Sequence, residues 1–195
     1  MIRVGVIGGI GSGKSFISKL FNSPVFNADR EVEILYKNNV ECYKKLRKKL
    51  PNFVKSFPIS KSQLIKAINE DKKNLKKISS VVHPLVRKKM KLFLNKNKKS
   101  KIIILDIPLL IENKLYKKKD ILIFVKSNQN KVISRLKKRK NYNKKILLNL
   151  RKNQTKLLKK RKLANYIVEN NFSPNIMRKK INSLKNRILN ERNSA

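Results

Sequence analysis

Apolar residues along the chain fall into two patterns. Short, nearly continuous runs alternate with longer stretches in which they recur every three or four positions. "IRVGVI" (2–7), "KIIILDIPLL" (101–110) and "DILIFVKS" (120–127) are brief and β-branched, as expected for strands buried on both faces. "PVFNAD" (24–29) reads as another short strand ending at Asp29, and "NYIVENN" (165–171) as a last one. Helical spacing marks "SFISKLF" (15–21), the stretch from Arg30 to about Leu50, "QLIKAI" (63–68) behind Ser60 or Ser62 as cap, and Asp71 to Asn95 with an interruption at "HPL" (83–85). It returns in "NQNKVISRLKKRK" (128–140), "NKKILLNLRKNQTKLLKKRKLA" (143–164) and "PNIMRKKINSLKNRIL" (174–189). "LPNFVKSFPIS" (50–60), with Pro51 and Pro58, reads as a loop.

Strands alternating with helices predict an α/β fold with a parallel sheet covered on both faces. The stretch 31–95 is too long for a plain crossover and reads as a helical insertion in a single domain of 195 residues. No apolar run is long enough to span a bilayer. The single Cys42 excludes an internal disulfide and a cysteine-based zinc site, and fits a reducing cytoplasm.

Charge changes this picture less than its size suggests. Lys and Arg number 51 against 11 Asp and Glu, a net charge of +40. Such a balance raises the question of nucleic acid. The positive residues are mostly lysine and are spread over most of the chain. Asn and Ile are also abundant, while Gly, Ala and Trp are scarce. Lys, Asn and Ile have A/T-rich codons, so the bias reads as compositional drift, with no specific nucleic-acid partner expected. A basic surface still attracts polyanions at low salt and would draw a phosphate-rich substrate.

All five glycines lie within the first 13 residues: Gly5, Gly8, Gly9, Gly11 and Gly13. "GGIGSGKS" (8–15) fits G-x-x-x-x-G-K-[ST], with a predicted strand before it and a helix after it. Glycines let backbone N–H groups turn inward around phosphate oxygens, and the helix N-terminus adds its partial positive charge. Lys14 would reach the β- and γ-phosphates, and Ser15 would place its hydroxyl on magnesium. The dinucleotide and protein-kinase glycine loops fail, because G-x-G-x-x-G would need glycine where Lys14 or Phe16 stands.

A GTPase is disfavoured. "KKKD" (117–120) has lysine where a guanine-reading motif needs Asn or Thr, and Asp106 is followed by "IPL" where D-x-x-G is needed. A small chain with a helical insertion suits a small-molecule kinase, which closes over both substrates to exclude water. A hydroxyl acceptor benefits from a nearby carboxylate. Asp29, Asp106 and Glu112 lie just past the C-terminal ends of predicted strands, where open α/β sheets bind ligands. The other acids, Asp120 among them, read as surface charge or helix caps.

Together "GGIGSGKS", "NADRE" (27–31), "HPLV" (83–86), "DIPLLIENKLY" (106–116), "RLKKR" (135–139), Gln154 and "ANYIVENN" (164–171) resemble, in order and spacing, the dephospho-coenzyme A kinase family. The resemblance implies a three-layer P-loop kinase fold: a five-stranded parallel sheet, a helical substrate-binding insertion (31–95), a lid (about 140–163) and a core of about 1–30, 96–139 and 164–195. It implies ATP-dependent phosphorylation of the 3'-hydroxyl of dephospho-CoA. Rival readings are a related nucleoside or nucleotide kinase and a basic nucleic-acid-binding P-loop protein.

Carried over, the resemblance puts ATP against Gly8, Gly9, Ile10, Gly11, Ser12, Gly13, Lys14, Ser15 and Phe16, with Arg135 and Arg139 approaching its phosphates. Asp29 matches the second acid of a D-A-D motif, as the base or the group orienting the acceptor hydroxyl; a helix cap is compatible with that role. His83 would line the substrate cleft, Pro108, Leu109 and Leu110 would wall the acceptor, and Glu112 would give it polar support. Asp106 would hold magnesium through water or support the loop. Four positions depart from the family pattern. Asn27 replaces the first acid of D-A-D, Phe16 a common threonine, Lys140 an acid and Asn165 an aspartate. None touches Lys14, Ser15, Asp29 or His83.

Overall fold

The computed structural model describes residues 1–138 and 155–193. Its compact units are residues 1–27 with 97–195, and residues 28–96.

The first unit is built on β1 (Ile2–Gly8), β2 (Val25–Asn27), β3 (Ile102–Asp106), β4 (Ile121–Ser127) and β5 (Tyr166–Asn170). They form one parallel sheet in the order β2-β3-β1-β4-β5. All five predicted strands are present. The register pairs Val4 with Ile104 and Ile121, and Asn27 with Asp106. Every residue of β3 is buried, as its unbroken apolar run predicts. α1 (Lys14–Leu20) and the long closing helix (Pro174–Asn193) pack together, with Ile17, Phe21, Met177, Ile181 and Ile188 sharing a core with Val4, Val6, Ile104 and Ile123.

Asp120, read from sequence as a surface or capping acid, is buried at the start of β4. It pairs with the Arg3 guanidinium at 2.9 Å. Burial pushes its carboxyl above the usual range, against the Lys117 N–H and Arg3, which favour the anion.

The second unit is helical: α2 (Ala28–Asn38), α3 (Val40–Lys49), α4 (Lys61–Glu70) and α5 (Lys73–Lys96). Two expectations differ here. The stretch 30–50 is two helices, because Asn39 takes an extended conformation and its side chain accepts the Cys42 N–H at 2.6 Å as the cap of α3. "HPL" does not interrupt α5, which runs through Pro84. An interior proline costs about 3 kcal/mol. Burial of Ile78, Val81, Val82 and Leu85 on either side of it is worth more, at about 1.5–3 kcal/mol for each large apolar side chain. Ser60 caps α4, accepting from the Ser62 N–H.

Cys42 is fully buried in this helical core beside Leu46, Val54 and Leu85. Burial pushes its thiol up to about 11. The thiolate is the reactive form, so iodoacetamide should barely label the folded protein at mildly alkaline pH and should label it fully in urea. Equal rates in both states would show that the Cys42 thiol is accessible in the folded unit.

α6 (Gln129–Lys137), α7 (Leu157–Leu163) and α8, the closing helix, complete the first unit. α7 packs against β1 and β4. Among the described residues no helix is long and apolar enough to cross a membrane.

Candidate active site

β1 ends at Gly8 and α1 starts at Lys14, so residues 9–13 must reverse the chain at the C-terminal edge of the sheet. Gly11 and Gly13 take φ of 78° and 90°, the left-handed region that favours glycine. At Gly13, the cap of α1, space makes the same demand. A Cβ there would run into the Asn170 amide nitrogen and stand 3.3 Å from the Phe172 ring.

The back of the loop is gripped by the ends of neighbouring strands. The Ser12 carbonyl accepts from Ser127 Oγ at 2.8 Å and from Asn170 Nδ2 at 2.9 Å. Ser127 and Asn170 are the last residues of β4 and β5. Lys14 folds back over the turn, its Nζ donating to the Gly9 carbonyl at 2.8 Å and more weakly to that of Gly8 at 3.4 Å. Ser15 is exposed in the first turn of α1, Ile10 is half-buried, and Phe16 packs against the sheet core.

Asp106 ends β3, buried, and accepts from Asn27 Nδ2 at 2.6 Å across the β2–β3 register. The asparagine that departs from the family's D-A-D motif is therefore a donor to Asp106. An aspartate there would set two carboxylates together, which cannot both ionise without a proton or cation between them. Asn165 is equally integrated. Its Oδ1 accepts the Leu122 N–H at 2.8 Å, and its own N–H donates to the Leu122 carbonyl.

Pro108 and Leu109 are half-buried and Leu110 is buried in the turn after β3. Glu112 follows. Its Oε1 pairs with Lys160 Nζ at 2.8 Å and accepts the Thr155 N–H at 2.8 Å. Burial pushes the Glu112 carboxyl up, but Lys160 and the backbone N–H donors outweigh it and hold the group below the usual carboxylate range. Arg135, on α6, lays its guanidinium 4.5 Å from the centre of the Phe172 ring, a cation–π contact. Phe172 is the residue beside Gly13, so Arg135 is tethered at the rim of the loop. Arg139, Lys140 and Gln154 lie outside the described residues, as does most of the expected lid.

In the helical unit, Asp29 is exposed in the first turn of α2. The strand before it stops at Asn27 and the helix begins at Ala28, so Asp29 neither ends a strand nor caps a helix starting at Arg30. His83 lies on the exposed side of α5. Partial burial, then the charge of Arg87, hold its ring below the usual histidine range and keep it neutral near pH 7.

Sequence reasoning missed Ser127, Asn170, Phe172 and Lys160. Ser127 ends a predicted strand and Asn170 lies one residue before the end of another, and strand ends are where such sheets bind ligands, which was signal enough. Lys160 is one of 51 basic residues and carries no local mark.

Magnesium binds through few protein ligands, mostly water and substrate phosphates. Among the described residues no group of three or more His, Cys, Asp or Glu side chains gathers to hold a metal. The exposed Ser15 hydroxyl and the buried Asp106 carboxylate suit such a sparse site, Asp106 having one oxygen engaged by Asn27.

A glycine turn held from behind at the edge of a five-stranded parallel sheet, with a lysine and a serine opening the next helix, defines a P-loop kinase. A Thermus thermophilus crystal structure covering 97% of both chains superposes with a TM-score of 0.78 at 25% identity. A dephospho-CoA kinase from Campylobacter jejuni (TM-score 0.64, 21% identity, 95% and 96% covered) and a shikimate kinase from Bacteroides thetaiotaomicron (0.52, 13%, 94% and 97%) share the fold. The family model for dephospho-CoA kinase matches residues 2–175. Dephospho-CoA kinase of Wolbachia pipientis is 33% identical over 87% of this chain and 89% of its own, and that of Rhizobium meliloti 30% over 94% and 96%. The chain belongs to the dephospho-CoA kinase family, which carries out the last step of coenzyme A biosynthesis.

Proposed function

We propose that this chain transfers the γ-phosphoryl group of ATP to the ribose 3'-hydroxyl of dephospho-CoA, giving coenzyme A and ADP, in the cytoplasm. Family membership supports the acceptor. The observation that carries the donor side is the turn at residues 8–13, arched at left-handed glycines and clamped at the Ser12 carbonyl. Such a turn presents backbone N–H groups to phosphate without reorganising as charge moves.

Lys14 leaves the loop carbonyls for the β- and γ-phosphates, which offer a stronger, charged acceptor. Arg135, with Arg139, neutralises charge developing on the transferred group. Gly8–Phe16 line the donor. Asp29 accepts the acceptor's hydroxyl proton or orients that hydroxyl, and His83 lines the acceptor cleft as a neutral ring. Pro108, Leu109 and Leu110 wall the acceptor, with Glu112 as polar support. Magnesium, when bound, neutralises the phosphate oxygens; Ser15 would hold it, with Asp106 acting through water. Residues 31–95 serve as the substrate-binding insertion and 140–163 as the lid of one kinase domain.

A coupled ADP-release assay tests this. Release should be fast with dephospho-CoA and near background with nucleoside monophosphates. Turnover of a nucleotide without dephospho-CoA activity would transfer the chain to another kinase reaction.

A further inference from the structure

Lys160 is 1% exposed and, among the described residues, no other lysine or arginine is buried. Among the described residues most lysines and arginines are solvated, and this one has been stripped of water at considerable cost. Stability is a weak reason for that, because a buried ion pair is often matched or surpassed by apolar side chains of the same volume. Lys160 lies on α7, and its ammonium ends on Glu112 Oε1. One turn earlier on the same helix, Leu157 Cδ2 comes within 3.4 Å of where a Cβ on Gly9 would stand. Positions 157 and 160 share one helix face. α7 therefore touches the phosphate loop at one end and the turn after β3 at the other.

Glu112 is itself half used. Oε1 takes both Lys160 and the Thr155 N–H, while Oε2 is buried with no hydrogen-bond partner. A buried carboxylate oxygen is costly to leave unmatched and is a strong acceptor for a hydroxyl.

We infer that Lys160 is a positioning residue. By pinning Glu112 Oε1 it fixes the 107–116 segment against α7, so that Pro108–Leu110 and the spare Glu112 oxygen meet a sugar hydroxyl of the acceptor in one geometry relative to the phosphate loop. The inference rests on the acceptor-side placing of Pro108–Glu112 proposed above.

The test combines kinetics with amide hydrogen exchange on Lys160→Met, Lys160→Arg and the double variant Glu112→Gln/Lys160→Met. Misplacing a reacting group by about 1 Å costs about a hundredfold, so Lys160→Met should lose about that much kcat with dephospho-CoA while KM for ATP moves less than about threefold. Amides of residues 107–116 should exchange faster, and Lys160→Arg should recover most of the rate. The double variant leaves no lone buried charge, so its thermal midpoint should return while kcat stays low. Recovery of kcat together with the midpoint, or unchanged exchange in Lys160→Met, would overturn the inference. Should Lys160→Met not fold, Glu112→Gln takes its place with the same expectations. A wild-type protein inactive on dephospho-CoA would refute the proposed function instead, and the exchange result would then decide the role of Lys160.

Discussion

Lys14→Ala should lower kcat about a thousandfold, about 4 kcal/mol of transition-state stabilisation, the upper end of what one preorganised donor supplies. The folded protein should lose little. Lys14 is half-buried and its amine donates to two carbonyls of an already constrained loop. That loop is also held through Ser12 by Ser127 and Asn170. Removing the amine leaves the Gly8 and Gly9 carbonyls for water. The thermal midpoint should therefore stay within a few degrees, and ADP release under saturating ATP should collapse. Arginine would not substitute. Its planar fork differs from a compact ammonium on a flexible stem, so Lys14→Arg should recover only a small part of the rate. A Lys14→Ala enzyme running at wild-type rate would contradict the phosphate role of the loop.

Much of the donor side was legible because backbone geometry writes it into the sequence. A turn that needs left-handed conformations at Gly11 and Gly13 must keep glycine, whatever drift does elsewhere. Gly5 is kept for another reason, space. A Cβ there would stand 2.5 Å from Leu110 Cδ2 and 2.9 Å from Leu122 Cδ2 in the packed sheet. The five strands were equally legible from their apolar runs.

What stayed hidden depended on partners distant in sequence. Asp120 reads as one more surface acid until Arg3 is found 2.9 Å away. Lys160 is lost among identical neighbours until Glu112 is seen on it. Helix boundaries failed where one side chain decided them. Asn39 chose to cap α3, and Pro84 was overridden by apolar packing on both sides of it. At Asn27 and Asn165 the sequence showed a lost acid, and the hydrogen bonds show what the amides do. One donates to Asp106 and the other closes a β4–β5 link.

Asp29→Asn should leave ATP binding and stability nearly intact and remove about a thousandfold of kcat, within the range for a positioned general base. Magnitudes separate this from a structural role. An exposed acid in the first turn of a helix contributes about 0.3–1 kcal/mol through the helix dipole, and asparagine keeps the size of the side chain. A structural loss would move the thermal midpoint a little and leave the rate almost untouched. A catalytic loss is about 4 kcal/mol in the barrier with the midpoint in place. Asparagine can still accept a hydrogen bond from the acceptor hydroxyl, but it cannot take the proton. If Asp29 only orients the hydroxyl, Asp29→Asn should retain much of the rate and Asp29→Ala should lose it. If Asp29 is the base, both variants should be similarly slow. The readouts are ADP release with dephospho-CoA at saturating ATP and nucleotide binding by calorimetry. Near-normal turnover in both variants would remove Asp29 from the chemistry and leave the acceptor hydroxyl to another group.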